Sequence, residues 1–291
     1  MNYNKIVVLV NSAAKSKKLD KSALENACNH INKFKQCQII YTENINDFVD
    51  KTKQYSSEPD TLIAVSGGDG TINLALNNLE KSSNLGIIPT GTANVIAKEL
   101  GFPSRILDCF KLLLTGAVQN IDLGTCCNKK FAFVAGIGFD AVVASKVSKK
   151  LKSIFGQVAY GIETIRTALI HKPSKLTIEC EDGQILTGYF AIFANMRRYG
   201  GELYFAPEAS YNDGLLNLVL LKEFSFSNLF KLIKYAYGKG TIPEMVIKKV
   251  GRHFKVIASE PTLYELDGEV FGPEKEFNIN IEPLSQGIIT T

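Results

Sequence analysis

No Cys-x-x-Cys pair occurs among the six cysteines, Cys28, Cys37, Cys109, Cys126, Cys127 and Cys180, and the three histidines, His30, His171 and His253, stand far apart. This spacing argues against a zinc site, and a chain of 291 residues does not need a disulfide framework. Long apolar runs are missing as well. The longest weakly polar stretch, Phe131 to Ala144, contains Asp140 and falls short of the ~20 apolar residues that a membrane-spanning helix needs. The N-terminal run Ile6 to Val10 is too short for the core of a secretory signal and reads as a first buried strand. The expected location is therefore the cytoplasm. The chain also shows no internal repeat and no low-complexity linker. The net charge of +4 excludes little; it suits a partner that is polyphosphate or an anionic membrane, and equally an ordinary soluble domain.

The length allows two domains at roughly 100–200 residues each, and the pattern divides accordingly. Lys5–Val10, Gln38–Tyr41, Leu62–Val65 and Leu85–Ile88 read as strands. Between and after them Asp20–Phe34, Asn46–Tyr55, Thr71–Leu79 and a stretch ending at Leu100 read as helices, with Asp20 a cap for the first. Such alternation predicts an α/β domain with a mostly parallel sheet. Beyond about Ile121 strands dominate: Phe131–Val134, Leu176–Cys180, Ile185–Asn195, Leu215–Leu221, Phe254–Ala258, Thr262–Leu266 and Phe277–Ile281, with Glu181–Gln184 a tight turn. This predicts a C-terminal β-sandwich. The expected domains are residues 1–124 and 125–291, with the C-terminal end able to return to the first domain. One helical stripe stands out in the second half. Val143, Val147, Leu151, Phe155 and Val158 recur at helical spacing among Lys146, Lys149, Lys150 and Lys152. It reads either as a core-facing helix or as a basic amphipathic face for anionic lipid.

Two loops carry the chemistry. Ser66-Gly67-Gly68-Asp69-Gly70-Thr71 lies between a predicted strand and a predicted helix. Its glycines let backbone approach a phosphate closely, and the helix start favours an anion. Asp69 suits Mg²⁺ or a substrate proton rather than phosphate itself; alternatively it is an ordinary helix cap. The ending Gly-Lys-Ser/Thr of a Walker A loop is absent. One strand later, Pro89-Thr90-Gly91-Thr92-Ala93-Asn94 repeats the design, with Gly91 for close approach, Thr92 for a hydroxyl and Asn94 for an amide. Asn11-Ser12 and Thr42 follow the first two strands at the same predicted sheet edge, where open α/β sheets bind ligands. Asp267-Gly268-Glu269 and Asp213-Gly214, read alone, are turns.

These segments, with Gly136-Ile137-Gly138-Phe139-Asp140-Ala141, Tyr199-Gly200-Gly201, Asn212-Asp213-Gly214-Leu215-Leu216 and Leu266-Asp267-Gly268-Glu269, run in an order that resembles the diacylglycerol kinase catalytic-domain superfamily over nearly the whole chain. The superfamily includes sphingosine kinases, ceramide kinases and bacterial soluble lipid kinases. The resemblance implies an N-terminal nucleotide-binding α/β domain, a C-terminal β-sandwich for the lipid substrate, and ATP in a cleft between them. It implies nucleotide contacts from Asn11, Thr42, Ser66, Gly67, Gly68, Asp69, Gly70, Thr71, Gly91, Thr92, Asn94 and Asp267. It implies Glu269 as general base toward a lipid hydroxyl, or Asp69 as in the sphingosine kinases, and an Mg²⁺ site at Asp213 and the backbone of Leu215.

The first loop reads Asn11-Ser12-Ala13-Ala14-Lys15 where the family usually has Asn-Pro. Val95 stands where bacterial diacylglycerol kinases often carry Asp, which leaves sphingoid bases, ceramide and other lipid alcohols open beside diacylglycerol. The expected partners are ATP with Mg²⁺, a lipid alcohol and an anionic membrane surface met peripherally. Nucleic acid is not expected, and a homodimer is left open. The rival readings are an NAD kinase-like enzyme, which shares the Gly-Gly-Asp-Gly-Thr loop, and a nucleotide-binding regulator without catalysis.

Overall fold

The computed structural model describes residues 3–12, 20–138, 141, 173–200 and 202–290. The basic stripe around Lys149 lies outside them, as do Phe139, Asp140 and Gly201 of the ordered motifs. The chain forms two compact units, Met1–Ile121 with Leu284–Thr291, and Asp122–Pro283.

In the first unit, β1 (Lys5–Asn11), β2 (Gln36–Thr42), β3 (Thr61–Gly67) and β4 (Leu85–Pro89) form a parallel sheet in the order β4-β3-β1-β2. The end of β14 (Glu269–Thr290) adds beside β4, Ile288 opposite Leu85. The helices are α1 (Lys21–Ile31), α2 (Ile45–Ser56), α3 (Asp69–Leu76), α4 (Val95–Glu99) and α5 (Ile106–Thr115). Alternate residues of β1 go to opposite faces. Ile6, Val8 and Val10 meet Leu24, Ile31, Phe110 and Leu113 of α1 and α5, while α2 packs on β1 and β3 and α3 packs on β3. Helices on both faces explain why these strands read as unbroken apolar runs. Asp20 caps α1 by accepting the Ala23 N–H at 2.9 Å, and Asn44 caps α2 through the Asp47 N–H at 3.0 Å.

The second unit is an antiparallel sandwich. Its elements are the end of β5 (Ala117–Cys126), β6 (Lys129–Phe131), β7 (Val134–Gly138), β8 (Leu176–Cys180), β9 (Ile185–Gly188), β10 (Phe190–Ala194), β11 (Leu216–Leu221), α6 (Phe226–Ala236), β12 (Val246–Gly251), β13 (His253–Leu266) and most of β14. The sheet order is β12-β11-β10-β7-β13-β14, with β8 and β9 continuing from the first half of β13. Phe131, Phe193, Phe254, Phe277 and Ile137 fill its core.

Two expected strands are interrupted. Ile185–Asn195 divides around Tyr189, because β9 pairs with β8 whereas β10 pairs with β7 and β11. Gly188 passes so near β11 that a Cβ there would stand 2.6 Å from the Leu221 carbonyl oxygen. Phe131–Val134 breaks at Ala132 and Phe133, whose amides turn to a side chain described below. α6 was not expected. Ser225 caps it by accepting the Asn228 N–H at 3.1 Å, and Leu229, Leu232 and Ala236 form its buried face.

Candidate active site

Parallel register brings the ends of four strands together in the first unit. Asn11 pairs with Thr42, Val10 with Ser66, and Gly67 with Pro89. The chain reverses its direction of sheet growth between β1 and β3, since β2 lies on one side of β1 and β3 on the other. In open α/β sheets such a reversal leaves a crevice at the carboxyl ends of the strands. The Asn11-Ser12 loop and the Ser66–Gly70 loop flank this reversal. Thr42 is buried and donates its hydroxyl to the Val10 carbonyl at 3.1 Å, so it braces this edge.

The two glycine loops pack backbone against backbone. The Thr90 N–H donates to the Gly67 carbonyl at 3.0 Å, and the buried hydroxyls of Ser66 and Thr90 lie 3.3 Å apart. A Cβ on Gly91 would stand 2.4 Å from the Gly68 Cα, and one on Gly67 would stand 2.5 Å from the Thr71 Cβ. Gly91 is thus required by contact with the other loop and Gly67 by contact with Thr71 in its own, with close access for a phosphate as a consequence. Thr71 is buried beneath Gly67, and Thr92 is exposed. Gly70 lies in the first turn of α3, whose N-terminus favours negative charge. Asp69 opens α3 and accepts the Ile96 N–H at 3.0 Å, tying α3 to the start of α4.

Asn94 adopts the left-handed region at φ 49°. Its Nδ2 donates to the Gly91 carbonyl at 3.1 Å, while its buried Oδ1 has no hydrogen-bond partner among the described residues. A buried acceptor without a donor is costly in a closed protein, and this one points at the junction of the glycine loops, 2.7 Å from where a Gly91 Cβ would be. Gly91→Ala should therefore spread the loops and cost about 1–3 kcal/mol in stability or nucleotide affinity. Gly68→Ala, whose Cβ would meet the Gly91 Cα at 3.1 Å, should cost less. Thermal melting and ATP calorimetry on both variants check the order.

In the second unit the acids of Asp267-Gly268-Glu269 take opposite directions. Leu266 pairs with Glu269, so Asp267 and Gly268 form a two-residue hairpin turn, both with positive φ, 51° and 83°. Asp267 is buried. Its carboxylate accepts the backbone N–H groups of Ala132, Phe133 and Val134 at 2.6, 2.9 and 3.1 Å. Asp267, expected to contact nucleotide, thereby also anchors the segment between β6 and β7. Glu269 is exposed on the other side of the turn.

Glu265, which sequence reasoning passed over, is buried and accepts the Gly268 N–H at 2.6 Å. Asp122 was also missed, although an acid between Ile121 and Leu123 is a signal in itself. It is fully buried and accepts the Gly214 N–H at 2.7 Å. Asn195 fastens the same region, donating to the carbonyls of Asp122 at 2.9 Å and Ala132 at 2.7 Å. Asp213 accepts the Leu215 N–H at 3.0 Å. Partial burial holds its carboxyl above the usual range, with the Asp122 charge adding to the effect and the Leu215 N–H opposing it.

One cysteine differs from the other five. Cys127 and Asn128 form the turn between β5 and β6. Cys127 is half-buried, with its Sγ 3.8 Å from that of Cys126. A hydrogen bond from Cys126, helped by the Tyr264 hydroxyl and Lys129, pushes the Cys127 thiol down against the opposing effect of burial. Burial pushes Cys28, Cys37, Cys109 and Cys180 up, and the bond to Cys127, with burial, raises Cys126. Iodoacetamide should label Cys127 faster than the other five, with a rate that rises at lower pH than for an ordinary thiol as thiolate forms. Peptide mass mapping, with Cys127→Ser as control, reads this directly.

Comparison with known proteins gives two matching family models. Residues 5–126 match the diacylglycerol kinase catalytic domain, and residues 133–288 match the YegS C-terminal NAD kinase beta sandwich-like domain. A diacylglycerol kinase of Bacillus subtilis is 33% identical over 218 residues, 72% of each chain. The chain belongs to the diacylglycerol kinase catalytic-domain family. A protein named "Probable lipid kinase YegS-like" from Klebsiella pneumoniae is 31% identical over 81% of this chain and 79% of its own. Among solved structures, a diacylglycerol kinase from Bacillus anthracis shares the fold with a TM-score of 0.81 at 23% identity, covering 100% of this chain and 98% of that one. An NAD kinase from Archaeoglobus fulgidus in complex with ATP shares it more distantly, with a TM-score of 0.55 at 15% identity over 98% and 93%. Within the diacylglycerol kinase family fold, no helix among the described residues is long and apolar enough to cross a membrane.

Proposed function

We propose that this lipid kinase transfers the γ-phosphate of ATP to the hydroxyl of a lipid alcohol such as diacylglycerol, a sphingoid base or ceramide. The observation that carries the reading is the pair of interlocked glycine loops at the sheet reversal, with the orphaned amide oxygen of Asn94 aimed at their junction. Phosphoryl transfer demands mainly positioning and charge stabilisation. The loops and the start of α3 supply backbone N–H groups and a positive dipole end for phosphates. Asn11, Thr42, Ser66, Thr71 and Thr92 complete the proposed nucleotide contacts, Thr42, Ser66 and Thr71 as buried braces.

Mg²⁺, bound with the nucleotide, would neutralise charge on its phosphates. No group of three acidic, cysteine or histidine side chains that could hold a metal occurs among the described residues. The residues fit an ion held largely by phosphate oxygens and water, with Asp69 as the neighbouring carboxylate. Asp213 and the Leu215 carbonyl form a second proposed Mg²⁺ position, where the negative charges of Asp213 and Asp122 adjoin. Glu269, exposed beside its anchored neighbour, is proposed to accept the hydroxyl proton.

Radiolabelled ATP with a panel of lipid alcohols in mixed micelles, and NAD as a separate acceptor, tests the reading. A labelled lipid is the expected product. Label on NAD alone would replace the proposal with an NAD kinase, and no transfer to any acceptor despite ATP binding would leave a regulator.

A further inference from the structure

α6 is fastened to its unit on one side and bare on another. Asn228, Leu229, Leu232 and Ala236 are buried. The Ala236 carbonyl accepts the Tyr204 N–H at 2.8 Å, and the Tyr235 hydroxyl lies 2.7 Å from the Lys248 ammonium, itself paired with Glu208. The helix is therefore held rigidly, yet it turns large apolar side chains to solvent. Phe226 is 47% exposed, Phe230 61% and Tyr237 41%, and Ile242 in the following loop is 42% exposed. Four of the ten exposed large hydrophobics among the described residues thus fall within this one stretch, a concentration that marks an interaction surface. Phe226, Phe230, half-buried Ile233 and Tyr237 follow the spacing i, i+4, i+7, i+11, which makes one stripe along the helix and its cap.

The charge around the stripe selects the partner. Lys222, Lys231, Lys234 and Lys239 are all exposed, against Glu223 and Glu244 in the same stretch. None of the four lysines is in an ion pair among the described residues. A second copy meeting this face about a two-fold axis would set lysines against lysines. A bilayer with anionic headgroups accepts both features at once: aromatic rings enter the headgroup boundary while lysines stay at its surface. Resting on the lipid-kinase reading, which puts the acceptor hydroxyl at a bilayer surface, we propose that the Phe226–Phe230 stripe of α6 and its flanking lysines dock the protein on anionic membranes.

The test uses the full chain without ATP and vesicles of phosphatidylcholine with or without phosphatidylglycerol. Co-sedimentation should show binding to the anionic vesicles that salt weakens. Phe226→Ser with Phe230→Ser should reduce the partition constant by about tenfold or more. Lys→Gln at 222, 231, 234 and 239 should reduce it by about fivefold per lysine that reaches the surface. ATP affinity and turnover of a short-chain, water-soluble diacylglycerol should be unchanged, since these exposed side chains lie outside the proposed catalytic set.

Wild-type protein that ignores anionic vesicles, or variants that bind as wild type does, would overturn the proposal. So would sedimentation equilibrium showing that the two phenylalanines hold two copies together while vesicle binding persists. Failure of the kinase reading looks different: vesicles are bound through α6, but no lipid is phosphorylated. Vesicle lipid phosphorylated equally well by the Phe226→Ser/Phe230→Ser variant defeats the docking face alone.

Discussion

Asp267→Ala should destabilise the second unit by about 3–9 kcal/mol, at roughly 1–3 kcal/mol for each of the three backbone N–H groups left without its acceptor. Three such groups, on Ala132, Phe133 and Val134, depend on this one buried carboxylate. The segment they belong to links β6 to β7, and β7 pairs with both β10 and β13, so its loss reaches the core. Asp267→Asn retains one acceptor oxygen and should fall between alanine and wild type. Urea unfolding of all three proteins measures the series. Nucleotide affinity of whatever folded Asp267→Asn protein remains should match wild type. A selective loss of ATP binding with unchanged stability would instead assign a nucleotide contact to Asp267.

Glu269→Gln should do the reverse. The side chain is exposed, so urea unfolding should scarcely change. If its carboxylate takes the hydroxyl proton, kcat should fall by about 10²–10⁴-fold with ATP affinity nearly constant, because the amide keeps the size and loses the basicity. Asp69→Asn supplies the contrast. Asp69 opens α3 within the first glycine loop and accepts the Ile96 N–H, so its loss of charge should weaken Mg·ATP binding along with rate. Calorimetry beside initial rates separates the two. Turnover abolished in Asp69→Asn with intact Mg·ATP affinity, while Glu269→Gln remains active, would assign the proton to Asp69.

Much of the first unit is legible in the chain itself. Strands buried on both faces must be apolar throughout, and Lys5–Asn11, Thr61–Gly67 and Leu85–Pro89 are nearly so. Helix starts are marked by side chains that accept an N–H three residues on, as Asp20 and Asn44 do. α6 carries the same signal in Ser225, but a helix among strands was masked by its short apolar runs. The strand at Ile185–Asn195 looks continuous because alternation does not record a change of partner at Gly188.

The sequence by itself determined the residue types at the sheet edge: glycines next to acids, amides and hydroxyls, at the ends of four apolar runs. It did so because turn chemistry and burial are local requirements, satisfied within a few residues of each other. Tertiary structure alone decided what each of these groups faces. Gly91 is glycine because Gly68 comes within a van der Waals contact of it. Asp267 and Glu269, two positions apart, part company because the donors that claim Asp267 lie 133 to 135 residues away. Phe226 and Phe230 are exposed because the packing of Leu229 and Leu232 commits the other side of α6 to the interior. A side chain's type is fixed by its codon, but the dielectric and the partners it meets come from chain segments distant in sequence, and those decide whether a carboxylate is buried as an anchor or left exposed.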